Sequence, residues 1–170
     1  LVIGGGVIGL MAVQLAKLAG AEVLLLTRSP EKQALGLNIG ADYAVGAESE
    51  VRKIWPEGAD LVVECAGVSA TVTLSHKLAR SGGRVVILGV ISQGEQVPIE
   101  PFDMLFREIQ MHFSFLNPFT HDRAAQMIAD GTINVSPLIS RIISLEEAAL
   151  AISSPPPKGE VRAIVVPKHD

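Results

Sequence analysis

The residues best placed to do chemistry come first in the chain: Gly4-Gly5-Gly6-Val7-Ile8-Gly9. They fit G-x-G-x-x-G and sit between an apolar run, Leu1-Val2-Ile3, and a helical stretch. In that setting Gly4 allows a tight turn, Gly6 lets backbone approach a bound group closely, and Gly9 lets helix pack on strand. A helix opening at Val7 offers the free N–H groups of Val7 and Ile8, and a positive dipole end, to the phosphates of a pyrophosphate. Glycine-rich turns also serve as plain tight turns, so the surrounding strand-turn-helix-strand order carries much of the argument.

The second group is Thr27-Arg28-Ser29 with Lys32. In a dinucleotide-binding unit the end of the second strand lies beside the adenosine ribose, where Asp or Glu accepts from the 2′-hydroxyl. Here Thr27 stands in that place, and no acid follows until Glu31. An acid would repel a 2′-phosphate, whereas Thr27 and Ser29 can donate to one and Arg28 can form charge-assisted hydrogen bonds with it. Lys32, one turn beyond Arg28, adds a second positive charge. These residues favour NADP(H) over NAD(H) as cofactor. Arg28 and Lys32 also read as ordinary solvated charges, with Glu31 weakening the patch; the missing acid is the stronger half of the argument.

Positioning these groups requires alternating strands and helices. Short apolar runs at 23–26, 61–64 and 84–88 read as strands covered on both faces, and 43–45 reads as a weaker one. Helical stretches fall at 7–19, 30–38, 49–55 and 70–80. Ser29 is a good N-cap and Pro30 suits a first helical turn. Gly20 and Gly40 stand where helix ends want a left-handed residue. Gly36, inside a helix, is unfavourable by about 1 kcal/mol against Ala. A sixth strand is expected from Gln110 to Phe115. The order predicts an α/β, doubly wound Rossmann fold: a six-stranded parallel sheet, helices on both faces, right-handed crossovers. After Phe119 a helix is expected at 120–130, a short one at 145–152 behind Ser144, a Pro155-Pro156-Pro157 loop, and a last strand at 161–166. Two parts are therefore expected, a cofactor-binding domain at 1–119 and a C-terminal segment at 120–170.

Bulk properties narrow the classes. Of 170 residues, 48% are hydrophobic, enough for a sizeable core, so disorder is not expected. A net charge of −4 leaves no basic footprint for nucleic acid. Apolar stretches break well before ~18 residues, so no membrane span is expected. The first residues do not resemble a signal peptide, and the chain reads as starting inside a strand of something longer. One cysteine, Cys65, excludes an intrachain disulfide framework and suits a reducing cytoplasm.

Taken together, GGGVIGLMAVQLAKLAGAEV, RSPEK with NIGADYAV, DLVVECAGVSATV, LARSGGRVVILGV and the tail PLISRIISLEEAALAI with KGEVRAIVVP resemble the cofactor domain of zinc-dependent medium-chain alcohol and polyol dehydrogenases. SFLNPFTHDRAAQMI is similar to the sorbitol, galactitol and arabinitol dehydrogenase branch. The resemblance implies that Gly4, Gly6, Val7 and Ile8 cradle the pyrophosphate, and that Thr27, Arg28 and Lys32 face the adenosine ribose or its phosphate. It implies that Cys65, Ala66 and Val68 line the adenine and ribose side. Leu88, Gly89 and Val90 would lie near the nicotinamide and its ribose, with Leu116 and Asn117 closing the carboxamide end. The sixth strand would pair with a second subunit, making a homo-oligomer and removing an exposed edge. The catalytic zinc would be held by an N-terminal domain that this sequence does not contain, so no zinc ligand or catalytic residue is expected here. The tail from Thr120 would lead back to that domain and, without it, pack poorly. The implied reaction is hydride transfer between a secondary or sugar alcohol and the nicotinamide.

Two other readings remain. One is a zinc-free quinone or enoyl reductase, which usually carries an alanine-rich glycine turn. The other is a nucleotide-sensing or methyltransferase module on the same sheet; a methyltransferase usually wants an acid where Thr27 stands. Other reactive-looking residues have plainer roles. Cys65 has no second Cys and no His at ligand spacing, so it reads as a small buried apolar residue. His76 suits a helix C-terminus. His112 and His169 are scattered, and His121 reads as a local or surface residue at a helix start. Glu64 reads as a structural hydrogen-bonding group, Trp55 as packing, and Glu146-Glu147 as helix-dipole partners.

Overall fold

The computed structural model describes residues 1–167, and His169 lies outside the described residues. The main sheet is built from β1 (Val2–Ile3), β2 (Leu24–Leu26), β3 (Tyr43–Val45), β4 (Ala59–Glu64), β5 (Ala79–Ile87) and β6 (Gln110–Phe113). All neighbours are parallel, in the order β3-β2-β1-β4-β5-β6. The order reverses direction between β1 and β4, and in open α/β sheets the crevice at that switch point is where ligands bind.

Helices fill the crossovers: α1 (Val7–Leu18), α2 (Pro30–Asn38), α3 (Glu48–Ile54), α4 (Ser69–Leu78) and α5 (Pro101–Phe106). Successive side chains of each strand point to opposite faces, so a strand apolar throughout must be covered twice. Ile3, Leu24, Leu26, Val62 and Val85 pack with Val51 of α3 and Val72 and Leu78 of α4. Val2 and Leu25 pack on the other face with Leu10 and Val13 of α1 and Leu35 of α2. The fully buried aliphatic side chains among these, such as Leu10, Leu24 and Leu25, contribute roughly 1.5–3 kcal/mol each. Gly36 earns its place in α2 through packing: a Cβ there would overlap the Leu25 side chain, so α2 could not lie this close to β2.

Several boundaries differ from the sequence expectation. The sixth strand ends at Phe113, because Ser114 makes the last sheet bond, to the Ile87 carbonyl, and the chain then turns through Leu116 at φ +60°. The fifth begins at Ala79, with a register shift against β4 between Ala59 and Leu61. Helix α5 lies in a stretch for which no element was expected.

The C-terminal segment holds α6 (His121–Ala129), a 3-10 turn at Ser136–Leu138, β7 (Ile139–Ile143), α7 (Leu145–Ser153) and β8 (Arg162–Val165). Strands β7 and β8 form a separate parallel pair. The expectation of a poorly packed tail fails for its middle. Leu138 joins the core beside α1, and Ile133 and Ile143 are buried. The Gln14 amide donates from Nε2 to the Asn134 carbonyl at 3.0 Å and accepts the Asn134 N–H at Oε1 at 2.8 Å. Leu145, Leu150 and Ile152 of α7 are exposed, as the expectation had it. Among the described residues no helix is long and apolar enough to cross a membrane.

Candidate cofactor site

At the C-terminal ends of β1, β2 and β4 lies a cleft of about 650 Å³. Its floor is the glycine turn. Gly4 (φ +108°) holds the left-handed turn, and a Cβ there would meet the Ala66 N at 2.9 Å. At Gly9 a Cβ would overlap the Gly4 carbonyl oxygen, so α1 can start here only on glycine. Gly5, a free position in the motif, proves as tightly packed: a Cβ would stand 2.8 Å from Thr27 Oγ1 and 3.0 Å from Lys32 Cβ. Gly6 is the opposite case. Nothing lies within 4 Å of a Cβ built there. That open space faces the N-terminus of α1, which has no side-chain cap and no acidic residue in its first turn. Uncapped N–H groups with room above them fit a pyrophosphate.

Thr27, Arg28, Ser29 and Lys32, expected at the ribose end, all line the same cleft. Thr27 is fixed by its backbone: its N–H donates to the Val45 carbonyl at 3.0 Å, and its carbonyl accepts from Gln33 Nε2 at 2.7 Å. The side chains of Arg28 and Lys32 have no ion-pair or hydrogen-bond partner among the described residues. Ser29 is committed elsewhere. Its Oγ caps α2 by accepting from the Lys32 N–H at 3.3 Å and donates to Glu31 Oε2 at 2.6 Å. Those bonds take its proton away from the cleft. Glu48, at the start of α3, also lines the cleft. Sequence reading missed it because it follows β3, outside any motif.

On the far wall are Cys65, Ala66 and Val68. Glu64, fully buried, shapes this turn: its Oε1 accepts from the Ala66 N–H at 2.8 Å, the Gly67 N–H at 3.0 Å and Thr71 Oγ1 at 2.7 Å. That is the structural hydrogen-bonding role expected of it. Burial, with the neighbouring Glu64 carboxylate, pushes the Cys65 thiol up to about 12, far from the thiolate needed for a nucleophile or metal ligand. Among the described residues no three His, Cys, Asp or Glu side chains converge as metal ligands.

The residues expected on the nicotinamide side lie along the same edge of the sheet but outside this cleft. Leu88, Gly89 and Val90 follow β5. The Leu88 and Gly89 N–H groups donate to the Glu64 carbonyl, and Val90 is 78% exposed. Gly67 and Gly89 bring the two turns into backbone contact, where a Cβ on Gly67 would meet the Val90 carbonyl oxygen at 2.8 Å. Leu116 is exposed, and the Asn117 amide nitrogen sits 3.1 Å from His121 Nδ1. His76 stands in the last turn of α4, as expected. It is fully buried with both ring nitrogens unpartnered among the described residues, and burial holds its pKa below the ordinary histidine value, which disfavours the charged form that a helix end would attract.

The family model described as zinc-binding dehydrogenase matches residues 7–130. The chain belongs to the zinc-binding dehydrogenase family. Among curated relatives of this zinc-binding dehydrogenase chain, the sorbitol dehydrogenase of Gallus gallus is 30% identical over 160 residues, 89% of this chain and 44% of that protein. A protein of Agrobacterium fabrum described as a D-xylulose reductase is 32% identical over 157 residues, 86% of this chain and 43% of the relative. A protein from Sinorhizobium meliloti 1021, described as a zinc-binding dehydrogenase and solved bound to NADP, is 50% identical with a TM-score of 0.93. That likeness covers 98% of this chain and 51% of the solved one. The chain thus spans about half the length of the relatives it matches.

Proposed function

We propose that this chain is the dinucleotide-binding part of a zinc-dependent alcohol or polyol dehydrogenase, and that it takes NADP(H) in preference to NAD(H). One observation carries the reading: the open space over Gly6 and the unpaired Arg28 and Lys32 belong to a single cleft. The 50% identical relative bound to NADP adds support. In this reading Gly4, Gly6, Val7, Ile8 and Gly9 seat the pyrophosphate. Thr27, Arg28 and Lys32 take the 2′-phosphate, and Ser29 acts through its cap on α2. Cys65, Ala66 and Val68 line the adenosine, while Leu88, Gly89, Val90, Leu116 and Asn117 orient the nicotinamide. The dinucleotide, when bound, supplies the carbon that accepts or returns a hydride. This chain's residues bind it, hold its two ends and exclude water from the pyrophosphate. The substrate is a secondary or sugar alcohol, met outside residues 1–119, and residues 120–170 lead toward the substrate-binding part of the protein.

The exposed edge of β6, with Phe113 76% exposed, suits pairing with a second copy. A lone, inert cysteine suits the cytoplasm. Arg28→Ala tests the cofactor assignment: binding of NADPH should weaken about tenfold with NADH nearly unchanged. Equal loss of both would show that Arg28 contacts something other than the 2′-phosphate.

A further inference from the structure

Between α7 and β8 the chain runs through Pro155-Pro156-Pro157-Lys158-Gly159 and reaches Glu31, which is hydrogen-bonded to the cleft-lining Ser29. Lys158 Nζ lies 3.2 Å from Glu31 Oε1. The next residue, Gly159 (φ +79°), brings its backbone so near that a Cβ would meet Glu31 Cβ at 3.0 Å and Cγ at 3.2 Å. From the other side the Ser29 hydroxyl donates to Glu31 Oε2. Both carboxylate oxygens and the side-chain stem of Glu31 are thus engaged, and the Ser29 and Lys158 contacts hold the carboxyl down to about 2.

The placement matters because Glu31 lies between Arg28 and Lys32 in sequence, at the first turn of α2. Glu48 already brings one carboxylate to the cleft. Arg28 and Lys32 line the cleft together with Glu48, and Glu31, bonded to the cleft-lining Ser29, sets a further carboxylate against a phosphate dianion there. Lys158 offsets that further carboxylate through its ion pair with Glu31. A neutral 2′-hydroxyl would feel little of this difference.

We infer that Lys158 and Gly159, from the C-terminal segment, are specificity-determining residues for the phosphorylated dinucleotide. They anchor Glu31 and offset its charge beside the 2′-phosphate position. The inference rests on the proposed NADP(H) reading and extends its site to a loop about 125 residues away in sequence, from Glu31 to Lys158.

The test titrates the intact protein and its variants with NADPH and NADH at low, fixed salt, where exposed charges are least screened. Lys158→Ala should weaken NADPH about threefold and Lys158→Glu about tenfold, the scale of a partly screened surface charge, with NADH little changed. Adding Glu31→Gln to Lys158→Ala should restore NADPH binding. Two results overturn the inference alone: Lys158→Ala without selective effect while Arg28→Ala remains selective, or no rescue by Glu31→Gln. If Arg28→Ala is itself unselective, the 2′-phosphate reading fails and takes this inference with it.

Discussion

Gly6→Val separates cofactor binding from folding more cleanly than any other substitution in the glycine turn. At Gly6 the backbone has φ −81° and ψ −177°, extended geometry that any residue adopts, and no atom lies within 4 Å of the added Cβ. The chain loses a tolerable N-cap but also loses unfolded-state freedom, two effects of opposite sign. The net change in stability should stay within about 1 kcal/mol. The branched side chain fills the space over the α1 N-terminus, so both dinucleotides should bind at least a hundredfold more weakly, about 2.7 kcal/mol. Gly9→Ala is the contrast. Its Cβ would overlap the Gly4 carbonyl oxygen, which costs folding rather than binding alone. Urea denaturation measures the first quantity and calorimetric titration with NADPH the second. A folded Gly6→Val protein that binds NADPH normally would refute the placement of the pyrophosphate over Gly6.

Other expectations follow from single contacts. Gln14→Ala removes both bonds to Asn134 and should cost about 1–2 kcal/mol, with faster amide exchange confined at first to residues near Asn134 and Leu138. His76, held below its ordinary pKa by burial, takes up a proton at lower pH in the folded protein than in the unfolded chain, which protonates near pH 6.5. Its stabilisation is therefore full above about pH 6.5 and falls below it; urea midpoints of wild type and His76→Leu should show a steeper acid loss in wild type. A parallel fall in both would remove His76 as the cause. Cys65, pushed up to about 12, should resist alkylation at pH 8 in the folded protein and react only on unfolding. Rapid labelling of the folded chain would contradict that environment.

Much of this was legible because local signals agreed with the fold. Ser29-Pro30 announced α2, with its N-cap bond and bounds as expected, and the leucine run of β2 showed a strand buried on both faces. What stayed hidden depended on contacts distant in sequence. Strand β7 begins just after Pro137 and gains its partner only from β8, about twenty residues on, so no hairpin pattern marks it. Helix α5 is six residues long and buries none of them, so no apolar periodicity marks it. Gly5 looked like a free position because the motif does not encode the Thr27 and Lys32 side chains pressing on it. Ser29 looked available until Glu31 took its proton. The Glu31–Lys158 pair joins two segments that no local pattern relates.

In the proposed reading one cleft seats a dinucleotide, with its pyrophosphate over Gly6 and its 2′-phosphate beside Arg28 and Lys32. Parallel titration of the folded protein with NADPH and NADH at one salt concentration tests it most directly. Tighter NADPH by about tenfold, ~1.4 kcal/mol, is the predicted result. Equal or tighter binding of NADH would contradict it and leave Arg28 and Lys32 as ordinary surface charges.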